Sequence, residues 1–522
     1  MSLGHASGVS LVGLNGHIID VEADIGGGLP SFLLLGLPDA SLIEARDRIR
    51  SAARNSGVAL SPRRITVNLI PASLPKRGSS FDLAIVVAAV AAAGTIQNPE
   101  GVVYIAELGL DGSLRPVPGV LPAVMAAVRA GRPDVVVAAG NEAEARLVPG
   151  ARVTAYRHLA EVMTAYGAHE AVVPPSGSGI PADRAGQRVG DGGTSTARST
   201  EVPDLGEVIG QPLARFALEV AAAGGHHLLM VGPPGAGKTM LAERLPGLLP
   251  DLEDAEAMEA TAIHSLQRGS LRLDRLLRRP PFESPHHSAS MVALIGGGAG
   301  LPRPGAASRA HHGVLFLDEA PEFNAKALDG LRQPLESGEI TLHRAAGTAT
   351  YPARFQLVLA ANPCPCGLSS GKAIECRCSP MQRRRYFDRL SGPFLDRIDL
   401  QIEVPRVNAT RLREGRGEET TLMVRRRVAA ARAAQHTRLQ RLGFARNSDL
   451  PGTVLRRELA LPKSTTASAD RQLERGHLTV RGLHRVLRLA WTISDLSGQE
   501  TPRPADVDVA LQLRQHAQGG IA

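Results

Sequence analysis

The stretch HHLLMVGPPGAGKTMLAERL, residues 226–245, decides the fold of the larger part of this chain. It begins as an apolar run, passes through a glycine-rich turn and continues as a helical pattern. Gly232, Pro233, Pro234, Gly235, Ala236, Gly237, Lys238 and Thr239 fit G-x-x-x-x-G-K-[ST]. Glycines let the backbone wrap closely, so that its N–H groups and the start of the helix face phosphate oxygens. Lys238 would neutralise β- and γ-phosphate charge, and the Thr239 hydroxyl is a hard ligand for Mg²⁺. The strand before and the helix after supply the context that the motif requires. A nucleoside triphosphate site with Mg²⁺ is expected here.

Such a site needs an acid at the end of another buried strand. GVLFLDEAPEF, 313–323, supplies one. Asp318 can hold Mg²⁺ through water, and Glu319 can polarise the attacking water. A third strand pattern, FQLVLAANPC, ends at Asn362, whose amide could position that water against the γ-phosphate. Further on, GPFLDRIDLQIEV offers Arg397, and the amphipathic pattern LTVRGLHRVLRLAWTISDL carries Arg481 near its start. Arginine stabilises charge on a phosphoryl group in transfer, but chemistry alone does not single these two out in an arginine-rich chain.

The bulk of the chain sets the frame. At 522 residues it predicts two to four domains, and 43% apolar residues exclude a disordered chain. The longest apolar run, Leu83 to Ala93, is shorter than the ~20 residues that cross a bilayer. With no basic-then-apolar start, the reading is a cytoplasmic protein without a membrane segment. The net charge of +8 favours a polyanionic partner, although the preference for arginine over lysine also fits a compositional bias. Aromatics at 3% argue against extended base-stacking platforms. Residues 171–203 are rich in Pro, Gly, Ser and Thr without apolar period, a flexible linker between two units.

The first unit mixes strands and helices. In HIIDVEAD, Ile19, Val21 and Ala23 alternate with Asp20, Glu22 and Asp24, a half-buried strand with an acidic outer face. PDASLIEARDRIRSAARNSG reads as a helix stopped at Gly57, RRITVNLIPA as a strand, FDLAIVVAAVAAAG as a buried helix, and VVYIAELGLDGSLRPV as a hairpin turning at Asp111-Gly112.

Taken in order, these stretches resemble the YifB/ComM family of magnesium-chelatase-like AAA+ ATPases over nearly the whole chain. The stretches that carry the resemblance are DIGGGLPSFLLLGLPDA, EVIGQPLARFALEVAAAGGHHLLMVGPPGAGKTMLAERLPGLLP, SPHHSASMVALIGGG, AHHGVLFLDEAPEF and LVLAANPCPCG. The resemblance implies an α/β chain in four parts. Residues 1–170 would be a Lon-protease-like, ribosomal S5 domain 2-like α+β domain, and 171–203 the linker. Residues 204–405 would be an AAA+ P-loop core with a cysteine insert at 364–378, and 406–522 a helical lid. It makes Asn362 the sensor-1 residue, Arg397 an arginine finger acting on ATP held by a neighbouring subunit, and Arg481 the sensor-2 arginine. A finger acting across subunits implies a ring, and AAA+ rings are usually hexamers. SPHHSASMVALIGGG and ESGEITLHRAAGTATYPARF look like the helix-2 insert and pre-sensor hairpin that face the pore. That makes His343 and Arg344 candidates for touching what passes through, the alternative being an exposed turn. His286 and His287 lie in the insert, where a nucleic-acid role stays open. In the Lon-like unit, Ser80 would stand where Lon carries its nucleophile, but the position of the partner lysine is Leu121. Without a base the serine cannot attack a peptide, so no proteolysis is expected.

Cys364, Cys366, Cys376 and Cys378 are all the cysteines, two close pairs across a short loop. They could hold one structural Zn²⁺ or remain free thiols. The pairs His226-His227, His286-His287 and His311-His312 are expected to pack or hydrogen-bond rather than chelate. The pattern MVRRRVAAARAAQHTRLQRLGFAR carries seven arginines from Arg425 to Arg446, either a phosphate-binding face or a solvated one. Two functions remain in view: a ring-shaped ATP-driven motor on single-stranded or branched DNA, as in branch migration during recombination and DNA uptake, or a chelatase-like or protein-remodelling ATPase acting on a protein partner.

Overall fold

The computed structural model describes residues 3–36, 40–76, 78–98, 100–169, 171–172, 203–267, 273–298, 302–344, 347–369, 376–407 and 418–515. The expected linker lies almost wholly outside these.

The first unit is built on a seven-stranded sheet. Its strands are β1 (Gly4–Val12), β2 (Asn15–Gly26), β3 (Phe32–Leu35), β4 (Arg64–Ile70), β5 (Val103–Ile105), β6 (Asp134–Ala138) and β7 (Arg152–Tyr156), in the order β3-β4-β2-β1-β5-β6-β7. The alternation in β2 has its expected result: Ile19, Val21 and Ala23 are fully buried. Its outer face is partly neutralised, since Arg132 donates to Asp20 at 2.7 Å. Helix α1 (Ala40–Asn55) ends before Gly57, whose φ of 75° lets the chain leave the helix. Helix α2 (Asp82–Ala92) is buried along its whole length, as an apolar pattern without period requires. The hairpin expected at Asp111-Gly112 is present but short, pairing Glu107–Leu108 with Leu114–Arg115. The residues before it instead form β5, parallel to β1 and β6. Helix α3 (Val120–Arg129) packs under the sheet, and Gly119 N–H donates to the Ser265 carbonyl of the second unit at 2.7 Å.

The second unit holds a five-stranded, all-parallel sheet of β8 (Leu228–Val231), β9 (Phe282–Glu283), β10 (Val314–Leu317), β13 (Gln356–Ala361) and β14 (Leu400–Glu403), in the order β9-β10-β13-β8-β14. Every residue of β8, β10 and β13 is buried, as expected of a sheet covered on both faces. Between β10 and β13 the chain makes the antiparallel ribbon β11 (Glu339–Arg344) and β12 (Gly347–Pro352). Helices α4 (Pro212–Gly224), α5 (Lys238–Leu248) and α6 (Asp254–Ser265) flank the sheet, and the short α7 (Met291–Ile295) lies in the segment between β9 and β10.

The C-terminal helices α8 (Thr421–Leu439), α9 (Lys463–Glu474), α10 (Val480–Leu496) and α11 (Pro504–Gln515) are not a free-standing lid. Val424, Val428, Val486, Leu489, Val507 and Leu513 share one apolar cluster with Leu228, Val314, Val358 and Leu400 of the sheet. Buried polar contacts lock the joint. Asp399 accepts from Arg485 at 2.6 Å and bonds His226 at 3.2 Å, His226 reaches Thr492 at 2.8 Å, and Arg514 donates to the Ile398 carbonyl at 2.8 Å.

Candidate functional site

In a parallel sheet all strands end at one edge, and loops at that edge meet. The turn after β8, Asp318 and Glu319 after β10, and Asn362 after β13 are therefore neighbours. Gly232 N–H donates to the Ala361 carbonyl at 3.1 Å, and a Cβ on Gly232 would come within 2.2 Å of the Val404 carbonyl, so no other residue fits. Gly235 and Gly237 have φ of 76° and 87°, the left-handed turns that aim the loop N–H groups inward.

Lys238 opens α5 and is buried. Its Nζ donates to the Gly232 carbonyl at 2.6 Å, the Pro233 carbonyl at 3.1 Å and Asn362 Oδ1 at 3.1 Å. Burial draws its pKa below the usual value, against the opposing pull of Asp318 and Glu319. Thr239 Oγ1 donates to Asp318 Oδ2 at 2.7 Å. A hydroxyl and a carboxylate thus meet beside a cationic loop, the donor set that a hard divalent cation takes. Glu319 has φ of 52°, an uncommon conformation for a non-glycine residue, and its N–H donates to Asp318 Oδ1 at 2.9 Å. Its carboxylate meets His287 Nδ1 at 3.0 Å.

Arg397 and Arg481 stand elsewhere. Arg397 lies just before β14, at the edge where the strands begin. Arg485, one helical turn beyond Arg481, is pinned there by Asp399. Burial lowers the Arg397 pKa, and the cations Arg332, Arg485 and Arg481 lower it further. Arg397 donates to the Pro393 carbonyl and to Glu336. A four-residue strand spans about 13 Å, so this cluster is on the far side of the sheet from Lys238.

His343 and Arg344 are exposed at the end of β11, and the tip residues 345–346 lie outside the described chain. The ribbon abuts the α7 segment: a Cβ on Gly296 would touch Leu342 at 3.0 Å, and one on Gly297 would touch Arg344 at 3.1 Å. The cysteines are gathered. Cys364 Sγ is 3.3 Å from Cys366 Sγ and 3.7 Å from Cys376 Sγ, and all four Sγ atoms lie within 4.8 Å of one another. Four sulfurs at 2.3 Å from one ion sit about 3.8 Å apart, so the cluster fits zinc. Backbone N–H bonding from Leu368 lowers the Cys366 thiol to about 6, favouring a thiolate.

The histidine pairs behave as packing and hydrogen-bonding groups. His227 Nδ1 accepts from Leu357 N–H at 3.0 Å. His311 and His312 meet Glu259 at 3.1 Å and 3.0 Å, a group that sequence reasoning missed because Glu259 lies on α6 without a motif. It looks like a metal site, but His311 Nδ1 accepts from Arg354 N–H at 3.0 Å. The ring proton must then sit on Nε2, which donates to Glu259 and leaves no lone pair for a metal. Arg426 of α8 is exposed, as a solvated face would have it, but three other arginines of the helix fit neither expected alternative. Arg427 pairs with Glu219 and Glu419, Arg432 donates to the Ala222 carbonyl, and Arg438 pairs with Asp495, so they fasten α8 to the core. In the first unit Ser80 lies in a tight turn ahead of α2, and Leu121 is fully buried in α3. No ammonium stands at that position.

Comparison with known proteins agrees with this geometry. A family described as magnesium chelatase, subunit ChlI, matches residues 204–412, subunit ChlI of Mg-chelatase matches 21–141, and the ChlI C-terminal family matches 418–514. The competence protein ComM of Haemophilus influenzae is 42% identical over 503 residues, covering 96% of this chain and 95% of its own. The uncharacterized protein YifB of Escherichia coli is 40% identical over 528 residues, covering 100% and 97%. Lon protease 2 of Bacillus subtilis is 31% identical over 144 residues, 27% of this chain and 26% of that one. Among the described residues no helix is long and apolar enough to cross a membrane.

Proposed function

The chain belongs to the YifB/ComM family of magnesium-chelatase-like AAA+ ATPases, and from that premise we propose that it is a ring-forming motor that couples ATP hydrolysis to movement on single-stranded or branched DNA. The observation that carries the reading is the split of the machinery between two edges of one sheet. Lys238, Thr239, Asp318, Glu319 and Asn362 share one edge; Arg397 and Arg481 share the other.

In this reading the turn of residues 232–237 and Lys238 bind the phosphates, Thr239 and Asp318 hold Mg²⁺, and Asn362 orients the water. Glu319 takes the proton from that water as it attacks the γ-phosphorus and the bond to the β-phosphate oxygen breaks. Bound Mg²⁺ supplies charge neutralisation on the β- and γ-oxygens. Arg397 and Arg481 lie too far from their own chain's phosphates, so both serve a neighbouring copy, and the active unit is an assembly. A hexamer is the expected form. Cys364, Cys366, Cys376 and Cys378 hold one Zn²⁺ as a structural clip, since four protein thiolates leave no position open for chemistry. DNA as the track is supported by the name of the competence relative, the net charge of +8 and the exposed His343 and Arg344 beside the α7 segment.

The test is ATP turnover with and without a forked DNA junction, at low and raised salt, together with unwinding of that junction. Stimulation that fades with salt is expected, because phosphate contacts release counterions. Glu319→Gln should bind ATP without turning it over. Metal analysis should return one zinc per chain, lost in Cys376→Ser. The chelatase match of the core motivates a second reading, remodelling of a protein partner. An ATPase indifferent to every DNA but accelerated by a protein would establish that reading instead.

A further inference from the structure

We propose that the helix Pro380–Phe387 and the residues flanking it form a second nucleic-acid contact, apart from the β11–β12 ribbon, in which Arg377, Arg384 and Arg385 hold phosphates of the strand on which the motor moves. The proposal rests on the reading of DNA as the track.

The sequence concentrates charge here. Residues 376–389, CRCSPMQRRRYFDR, hold five arginines and one acid. The helix that carries them is well specified. Ser379 Oγ accepts from Gln382 N–H at 3.2 Å, Gln382 Oε1 accepts from Ser379 N–H at 2.8 Å, and Pro380 takes the first helical position. Tyr386, Phe387 and Leu390 are buried in the apolar cluster that contains Leu315 and Leu317 of β10 and Leu357 and Leu359 of β13. With that end sunk in the core, the rest of the helix is fixed outward. Met381, Arg384 and Arg385 stand at i, i+3 and i+4, the spacing of one helical face, and all three are exposed.

What sets the patch apart is that the fold does not use its charge. Three arginines of α8 are taken up by Glu219, Glu419, Asp495 and the Ala222 carbonyl. Here Arg383 donates to Ser369 at 3.1 Å, and Arg389 donates to the Pro321 carbonyl at 3.0 Å and to Glu322 at 3.3 Å. Among the described residues, no carboxylate or carbonyl engages the guanidinium groups of Arg377, Arg384 and Arg385. Like charges so close on one helix repel. These cations stabilise nothing in the free chain, and an external anion completes them.

The surroundings indicate which anion. Arg385 and Arg389 line a cleft of about 250 Å³ whose other walls are Pro365, Cys378, Gln382 and Tyr386. Guanidinium forks match phosphate oxygens two at a time. The apolar walls and the exposed Met381 offer surface to sugars and bases. A phosphodiester strand brings both kinds of group along its length, whereas an acidic peptide brings its charge without flat apolar rings. The patch also lies at the edge that holds Lys238. A Cβ on Gly367 would come within 2.6 Å of Pro234 in the phosphate-binding turn, and Arg389 reaches Pro321, just beyond Glu319. A strand held here passes beside the site of hydrolysis.

The test uses the full-length protein with a slowly hydrolysed ATP analogue and a fluorescein-labelled single-stranded DNA oligonucleotide, with Kd measured by anisotropy across a salt series. Arg384→Gln combined with Arg385→Gln should weaken binding about tenfold or more at about 0.1 M salt. It should also flatten the slope of log Kd against log salt by about 1.4 for each chain that engages the strand. Arg384→Lys combined with Arg385→Lys keeps the charge and should keep the slope. An unchanged Kd and slope in the glutamine pair, with the melting temperature of the parent, overturns the proposal while the parent's own binding leaves the DNA track standing. So does a lysine pair that loses the slope as the glutamine pair does, since the loss is then not one of charge. Dissociation of the DNA-free assembly in the glutamine pair, read by mass photometry, makes the patch an interface between copies and overturns the proposal as well. A parent that binds no DNA at any salt refutes the track itself, and the patch with it.

Discussion

Lys76 and Lys238 are both buried, and both aim their ammonium groups at backbone carbonyls. Lys76 reaches Gly36 at 2.8 Å and also Pro71, while Lys238 reaches Gly232 at 2.6 Å and Pro233 at 3.1 Å. Only the company differs. Lys238 stands at the ends of parallel strands, beside Asn362, Asp318 and Glu319 and behind a turn of glycines. Lys76 is fully enclosed and joins two loops of the first unit. A lysine clamped by carbonyls is by itself a strut; it becomes chemical machinery when its neighbours include an anion site and groups that can move protons. Lys76 is the one lysine in residues 1–170, and its hydrogen bonds go to carbonyls and not to a serine.

The largest effect expected concerns how far the company of Lys238 extends. If it includes guanidinium groups of a second copy, Arg397→Ala should lower kcat by about 10³-fold or more with ATP binding retained. Mixing Arg397→Ala with Lys238→Met subunits should restore part of the turnover, since an intact loop can then face an intact arginine. Full activity of Arg397→Ala would reduce the site to one chain and break the contrast between its two edges.

Next comes Lys238 itself. Lys238→Met should cost about 10²- to 10³-fold in kcat, the usual result of removing one preorganised donor from a developing charge. Turnover assays on protein with an unchanged melting temperature check this.

The difference between the two lysines was partly legible in the sequence. Glycine spacing, the apolar strand ahead of it and the acids closing a second apolar strand are local signals, and each could be read from a dozen residues. The four cysteines were legible for the same reason, because short spacing forces proximity. What escaped was set by topology. Arg427 and Glu219 meet across 208 positions, so the arginines of α8 read as a free basic face until the fold placed acids and carbonyls against them. His287 and Glu319 belong to different motifs, and nothing in either announces the other. Arg397 and Arg481 were named by resemblance, but that they share the edge opposite Lys238 follows only from strand direction. The helical lid at 406–522 was expected from the resemblance, but the contacts that seat it on the sheet join residues far apart in sequence and were not legible.

That lid joint gives the third test. Asp399 is fully buried; burial alone would raise its pKa, yet Arg485 and His226 hold it well below the usual carboxylate range. A carboxylate with a depressed folded pKa stabilises the fold above its unfolded pKa of about 4, and that contribution drains away as pH falls further. Asp399→Asn should cost about 3–5 kcal/mol in denaturant unfolding, because Arg485 is left buried without its partner. It should also flatten the acid limb of the stability profile. An unaltered acid limb would mean that the joint does not rest on this charge.

The smallest effect belongs to Lys76 and tests the comparison from its other side. Burial lowers its pKa, so between the folded and unfolded values the unfolded chain binds more protons than the folded one. Stability should therefore rise as pH climbs through the lowered folded value toward the unfolded value of about 10, the opposite limb from Asp399. Lys76→Met abolishes that rise and leaves the Gly36 and Pro71 carbonyls without their donor, at a cost of about 1–3 kcal/mol in calorimetric unfolding. Turnover per folded molecule should be untouched, because nothing at the edge that holds Lys238 depends on Lys76. If Lys76→Met instead stopped hydrolysis in protein that remained folded, burial against carbonyls would no longer separate strut from machinery, and the first unit would have to be counted as part of the motor.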